Sequence, residues 1–466
     1  MSVAALYDYQ RKATVFSLQK KAAYLAIDMG LGKTLISITY MANVLAKQKM
    51  VNAFLVVGPL RTIHSTWPTE LDKWRPDLTY AILHGPKKEQ ELDKKVDVYI
   101  INFEGLKWLY NTIYRKAKNN GLKLPFQGVI LDEGSMVRDR ATQRFKILKV
   151  LMGAVDWKLI LSGTPAAKTL MHLWTQYYLL DKGVRLERSI GKFREKYCRP
   201  IPMGMRTEWE IREDMTHVLY DSIKDITYRL DKKDHLNLPP KVFNNIHLEL
   251  PKKLFNQYKE LEREFFVRLS EDAVVEVFNA LALSAKLRQF VQGAMYDPND
   301  IDKPARQRRV FKIHELKLKA LENLMEESAG KGILCAIQFV FEIAAIKSKF
   351  PDAKVIANGT STADANTYIK EWNNGNVPLL VCHPQSLAHG VNLQYGSNII
   401  LWYGLPWSPE QYLQLIDRLH RNGQKEAVVI HHLLMRRTTD ERVASALRLR
   451  INNQRKFLQY IKEGVI

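Results

Sequence analysis

Residues 24–34 read Tyr-Leu-Ala-Ile-Asp-Met-Gly-Leu-Gly-Lys-Thr, an apolar strand that stops at two glycines and runs on into a Lys-Thr pair. Residues 35–46 contain neither Pro nor Gly and read as the helix that follows. Strand, glycine turn and helix in that order suit a parallel α/β sheet. The backbone N–H groups of such a turn can close around phosphate oxygens, with the helix N-terminus facing the anion. Lys33 would then reach β- and γ-phosphates, and Thr34 would offer its hydroxyl to Mg²⁺. Ile27 stands where the strict phosphate-loop pattern has its first glycine. A glycine turn before a helix also has a purely structural reading.

A second segment weighs against that structural reading. Gly128-Val-Ile-Leu-Asp132-Glu133 is a buried-strand pattern that ends in two acidic residues. Carboxylates at the carboxyl end of a strand sit in the crevice where α/β sheets bind ligands. Asp132 is placed to hold Mg²⁺, through water. Glu133 is placed to orient and deprotonate an attacking water.

The first half of the chain alternates short apolar strands with helical stretches. Strand candidates are 23–28, 53–58, 97–102, 127–132 and 157–162, which predicts a parallel, doubly wound sheet. The charged run at about 185–235 reads as an insertion on this first domain, 1–235. Leu-Asn-Leu-Pro-Pro-Lys at 236–241 is a stiff breaker, and 236–242 is the expected hinge. A second domain, 243–466, carries strand candidates at 332–338, 353–357, 378–382, 398–402 and 427–434. Leu254, Tyr258, Leu261 and Phe265 recur at three- and four-residue steps, so a helical insertion is expected over about 251–325. Residues 440–462 read as a basic C-terminal helix. Only the first block has a phosphate loop, which suggests a nucleotide held in a cleft between two lobes.

Lysine and arginine number 70 against 49 aspartates and glutamates, a net charge of +21 with no basic tail. Such an excess points to a polyanionic partner. The three cysteines, Cys198, Cys335 and Cys382, form no Cys-x-x-Cys pair. That argues against disulfides and a zinc site, and for a reducing compartment. No apolar run approaches membrane-spanning length and the N-terminus lacks a signal-peptide pattern, so no membrane partner is expected.

With these segments in view, the chain resembles the Swi/Snf-type ATPases of helicase superfamily two along nearly its whole length. Leu-Tyr-Asp-Tyr-Gln10 resembles the family's adenine-reading element, with Gln10 as the base contact. Met29, Gly30, Leu31, Gly32, Lys33 and Thr34 form its version of the phosphate loop, in which the first glycine is commonly absent. Val57-Gly-Pro59-Leu-Arg61 is similar to motif Ia, and Ile101-Asn102-Phe to the next nucleic-acid-facing element. Leu161-Ser162-Gly-Thr164-Pro165 resembles motif III, which couples the sites. Leu238-Pro-Pro-Lys241 resembles the inter-lobe segment, and Gln414-Leu-Ile-Asp-Arg418-Leu-His-Arg421-Asn-Gly-Gln424 resembles motif VI.

The resemblance implies two RecA-like lobes, each with a parallel doubly wound sheet, and hydrolysis of ATP with Mg²⁺. Lys33, Asp132, Glu133, Arg418 and Arg421 carry the chemistry, and Thr34 and Asp132 hold the metal. Arg418 and Arg421 lie three apart and are expected on one helix face; in the family this pair reaches from lobe two to the γ-phosphate bound on lobe one. Ser162, Thr164 and Gln414 couple the sites. Pro59, Arg61, Asn102, His389, Asn392 and Trp407 face nucleic acid. The remaining tryptophans, Trp67 among them, read as packing residues.

Three departures stand out. Ser135 replaces the usual His or Gln after Asp132-Glu133-Gly. Leu387 and Ala388 replace the glycines of motif V. Ile27-Asp28 replaces the usual Asp-Glu before Met29. The expected activity is translocation on double-stranded DNA through backbone contacts with little sequence preference. The compact chain looks like phage-borne and bacterial members, which implies a bacterial or phage-infected cytoplasm. A strand-separating DNA or RNA helicase, and a DNA-binding scaffold with weak ATPase, are the alternatives.

Overall fold

The computed structural model describes residues 6–120, 124–166, 169–203, 206–269, 276–387 and 391–463. The chain divides into two compact units, Met1–Asn237 with Arg450–Ile466, and Leu238–Leu449. Each is an α/β unit built on one parallel sheet. Among the described residues, no helix is long and apolar enough to cross a membrane.

The sheet of the first unit has seven strands. In spatial order they are Tyr80–Ile82, Val98–Asn102, Phe54–Gly58, Gly128–Asp132, Trp157–Ser162, Ala22–Ile27 and Thr227–Leu230. All neighbours pair in parallel. The inner strands are buried and mainly apolar, Lys158 being the buried exception in Trp157–Ser162. Alternate residues feed two cores. Tyr24, Leu55, Val57, Leu131 and Ile160 lie in one, and Leu25, Val56, Ile100, Ile130 and Leu161 in the other.

Two edge strands were not expected. Tyr80–Ile82 is only three residues long. Thr227–Leu230 falls inside the segment read as an insertion, so the expected insertion at 185–235 ends earlier than predicted. Its Arg229 disguised it: the side chain is charged but buried, paired with Asp28 and Asp231.

The second sheet has six parallel strands in the order Lys241–Leu248, Val428–Met435, Ile399–Trp402, Ile333–Ala336, Leu379–Cys382 and Lys354–Ile356. The first was missed because it begins at the Pro-Pro breaker. The expected hinge at 236–242 is therefore partly built into this unit: Val428 N donates to the Pro240 carbonyl at 3.0 Å, and the strand starts at Lys241. Helices Lys252–Leu269 and Glu276–Val291 and the hairpin Ala294–Tyr296/Val310–Lys312 fill the expected helical insertion. The helix Thr439–Glu463 closes the chain. Its residues from Arg450 onward group with the first unit, and Leu458 joins that unit's core, which corrects the assignment of all of 243–466 to the second domain.

Candidate active site

Adjacent parallel strands bring three segments to one edge of the first sheet. Ala22–Ile27 pairs with Trp157–Ser162, Leu25 opposite Leu161 and Ala26 opposite Ser162. Gly128–Asp132 pairs with the same strand on its other side, Asp132 opposite Leu161. The glycine loop, the Asp132-Glu133 pair and Ser162–Pro165 therefore emerge side by side at the carboxyl end, where α/β sheets place ligands.

The loop depends on its glycines. Gly30 and Gly32 have φ of +87° and +80°, a region that favours residues without Cβ. Gly32 caps the helix Lys33–Lys47, and a Cβ there would come within 2.3 Å of Gln10 Nε2. Gln10 is buried against the loop. Its Nε2 donates to the Leu31 carbonyl at 3.2 Å and its Oε1 accepts from Tyr7 N at 3.1 Å. Lys33 Nζ donates to the Ile27 carbonyl at 2.8 Å, and Thr34 sits half-buried in the first helical turn beside it. A Cβ on Gly163 of the neighbouring segment would lie 3.7 Å from that ammonium. Asp28 has a structural job: its carboxylate accepts from Arg229 Nη2 at 2.7 Å and from Lys232 N at 2.9 Å, tying the loop to the edge strand.

Asp132 and Glu133 are buried and differently held. Asp132 Oδ2 accepts from Trp67 Nε1 at 3.0 Å. Trp67 is fully buried, as its packing role requires, but it also orients this carboxylate. A Cβ on Gly58 would press on the Thr62 hydroxyl at 3.1 Å and would touch Asp132 Cβ at 3.4 Å. Glu133 takes φ 55° and ψ 58°, a left-handed conformation that costs a non-glycine residue roughly 1–3 kcal/mol. Its Oε2 is buried with no hydrogen-bond partner among the described residues. Arg138 lies close by: burial lowers its pKa and the Glu133 charge opposes that shift. The Arg138 guanidinium donates to the Ser135 carbonyl.

In the third segment, Ser162 Oγ accepts from Thr164 N at 3.1 Å, and Thr164 Oγ1 is buried without a partner among the described residues. Pro59 caps the short helix Leu60–His64, which carries Arg61, a residue whose pKa is lowered by burial. Asn102 lies opposite Gly58 on the neighbouring strand; its Nδ2 donates to Glu104 Oε2 at 2.9 Å and its Oδ1 has no partner among the described residues. As for a metal, the Thr34 hydroxyl and Asp132 carboxylate are hard oxygen donors of the kind Mg²⁺ takes. No group of three or more His, Cys, Asp or Glu assembles among the described residues, so such an ion would depend on phosphate oxygens for further ligands.

In the second unit, Ser408 Oγ accepts from Gln411 N and Pro409 takes the first turn, starting the helix Pro409–Leu419. Gln414 is buried on it, its Nε2 3.4 Å from Glu410 Oε1. Arg418 lies in the last turn, but Arg421 lies beyond the helix end, so the two do not share a helix face as expected. They meet nonetheless: Arg418 Nη1 and Arg421 Nη1 both approach the Val391 carbonyl, at 3.5 Å and 3.1 Å. Burial lowers the pKa of Arg421 while Asp417 and Tyr395 oppose the shift; a guanidinium stays charged regardless. His420 between them was overlooked. Its Nε2 sits 2.8 Å from the Pro239 carbonyl, which ties this turn to the start of the unit. Trp407 is 37 % exposed, with the Arg288 guanidinium 5.9 Å from its ring centre. Asn392 is exposed and its carbonyl accepts from Asn373 Nδ2 at 2.8 Å. His389 lies outside the described residues.

Comparison with known proteins follows these segments. The SNF2-related domain matches residues 6–297 and the helicase conserved C-terminal domain matches residues 316–423. Protein p41 of Acyrthosiphon pisum secondary endosymbiont phage 1 is 30% identical over 452 residues, 93% of each chain. YwqA of Bacillus subtilis is 25% identical across 90% of this chain and 45% of its own length. The ISWI chromatin-remodeling complex ATPase ISW1 of Saccharomyces cerevisiae is 23% identical across 94% of this chain and 39% of its own. The chain thus spans nearly all of the phage protein and less than half of the other two. Among solved structures, the Sulfolobus solfataricus SWI2/SNF2 ATPase core in complex with dsDNA matches with TM-score 0.44 and 22% identity, over 95% of this chain and 91% of that one.

Proposed function

Because the chain belongs to the SNF2-related ATPases of helicase superfamily two, we propose that it is an ATP-driven translocase on double-stranded DNA. What supports the hydrolytic half is the shared sheet edge: the glycine loop, Asp132-Glu133 and Ser162–Pro165 stand side by side on neighbouring strands. Lys33 takes the β- and γ-phosphates. Glu133 accepts the proton of the attacking water as its oxygen bonds to the γ-phosphorus, the bond to the β-phosphate oxygen breaks and ADP leaves. A carboxylate oxygen buried without a partner is suited to that proton, because nothing else competes for its lone pairs. Thr34 and Asp132 would hold Mg²⁺, which when bound neutralises charge on the phosphate oxygens. Arg418 and Arg421 supply positive charge where negative charge develops on the γ-phosphoryl group.

The DNA half is supported by the net charge of +21 and by family membership. Contacts to phosphates, from Arg61 and Asn102 in the first unit and His389, Asn392 and Trp407 in the second, would grip duplex of any sequence. Ser162, Thr164 and Gln414 would couple that grip to turnover. The likeness to a phage protein fits work in the cytoplasm of an infected bacterium.

Affinity for duplex DNA is expected to fall steeply with salt, at a log–log slope of about −0.9 per phosphate contact, and to vary little between unrelated sequences. Fluorescence anisotropy across a salt series checks this; a flat salt response, or a strong preference for one sequence, would sink the backbone-contact reading. The activity itself is tested by strand displacement. With ATP, the protein should drive a third strand off a triplex placed ahead of it and leave a plain forked duplex paired. Lys33→Ala should do neither, which removes passive displacement by a basic protein as the cause. Efficient ATP-dependent separation of the fork would replace translocation with unwinding.

A further inference from the structure

Helix His172–Asp181 sends two adjacent polar side chains under the candidate site. Thr175 Oγ1 donates to the Val137 carbonyl at 2.8 Å, just past the turn that carries Glu133. Gln176 is fully buried. Its Nε2 donates to the Pro165 carbonyl at 2.9 Å and to the His172 carbonyl of its own helix at 3.1 Å. Its Oε1 accepts from the Tyr24 hydroxyl at 2.6 Å. Tyr24 is also fully buried, midway along the strand that feeds the glycine loop. Finally, a Cβ built on Gly134 would stand 3.6 Å from Gln176 Oε1 and 2.2 Å from Ile160 Cγ2. The residue directly after Glu133 is thus wedged between the sheet and this amide.

One planar amide is therefore hydrogen-bonded to the loop strand and to the Ser162–Pro165 segment, and it faces Gly134 in the turn after Glu133. Its oxygen and nitrogen are held a fixed distance apart, and each is bonded in a dry interior where an orphaned partner is costly. A shift of Pro165 cannot be absorbed locally. It would bear on Tyr24 through the shared hydrogen bond and on the packing of Gly134, the residue after Glu133. Gln176 belongs to no motif used above, and Tyr24 enters there only as a residue of the apolar strand.

We propose that Gln176, through its hydrogen bonds to Tyr24 and Pro165, is a positioning residue that links the Ser162–Pro165 segment to the Glu133 turn, so that engagement of DNA raises the rate of hydrolysis. This rests on the translocase reading. The test compares the parent protein with Gln176→Met, Tyr24→Phe and the double variant. Four quantities are measured: ATPase rate without and with saturating duplex DNA, affinity for a fluorescent ATP analogue, and melting temperature. Gln176→Met keeps the volume of the side chain and removes the amide. The expected result is nucleotide affinity within about twofold of the parent and a DNA stimulation lowered about tenfold, the size of coupling losses along such connections. Tyr24→Phe, which removes only the bond to Gln176 Oε1, should show a smaller loss of the same kind, and the double variant no more than Gln176→Met alone, because that bond is already gone there.

A purely structural role would lower the melting temperature and leave the ratio of stimulated to basal rate unchanged. That unchanged ratio in a folded Tyr24→Phe overturns the link, as do fully additive losses in the double variant. If Gln176→Met does not fold, the single-oxygen change at Tyr24 still decides. A parent enzyme that duplex DNA fails to stimulate would take down the translocase reading and this link together. A stimulated parent with unaltered variants takes down the link alone.

Discussion

Glu133→Gln, saturated with duplex DNA and ATP, is expected to turn over at about a thousandth of the parental rate or less, while still binding nucleotide. General-base catalysis contributes on the order of 10²–10⁴-fold. The amide keeps the shape of the side chain, so the left-handed turn and the packing of Gly134 are preserved, but it cannot take a proton from water. Because hydrolysis and not binding is blocked, the variant should accumulate with nucleotide bound. Lys33→Ala should lose turnover for a different reason. It deletes the ammonium now hydrogen-bonded to Ile27 at the mouth of the loop and beside Gly163, so ATP affinity itself should drop. Nucleotide binding followed by fluorescence, alongside phosphate release, separates the two defects. Near-normal hydrolysis in either purified variant would refute the site assignment.

Arg421→Ala should bind ATP and DNA and lose on the order of a thousandfold or more in turnover, the scale of other arginine fingers. Arg418→Ala should behave similarly. Both guanidinium groups approach the Val391 carbonyl, so each depends on the short stretch after residue 390 for its direction. Lysine at either position should not rescue, since a single ammonium lacks the planar fork that meets two phosphate oxygens at once. Steady-state rates on saturating DNA provide the check. Parental rates in both alanine variants would remove the second unit from the chemistry.

Much of the frame was legible from residues alone. Every strand named from an apolar run is present, from Ala22–Ile27 to Val428–Met435. Three strands of the parallel sheets were overlooked, each for its own local reason. Tyr80–Ile82 is too short to stand out, Thr227–Leu230 carries a buried arginine, and Lys241–Leu248 starts against two prolines, where local chemistry argues for a break. The site segments were legible because glycine loops and strand-end carboxylates are local patterns. Their supports were not. Trp67 looked like a packing residue and Asp28 like an unexplained departure, while His420 and Gln176 drew no reading of their own. Arg421 was assigned to a helix that ends two residues before it, because spacing alone does not reveal where a helix stops.

What the sequence determined by itself is therefore what depends on neighbours within a few residues: the strands, the left-handed glycines of the loop, the acidic pair at a strand's end and the Ser408-Pro409 helix start. Only the tertiary structure decided which of these ends stand together. Trp67 meets Asp132 across 65 positions, Tyr24 meets Gln176 across 152, and Arg229 meets Asp28 across 201. Those pairings follow from the order of strands in a parallel sheet, in which neighbours in space are distant in sequence, and no periodicity along the chain encodes that order.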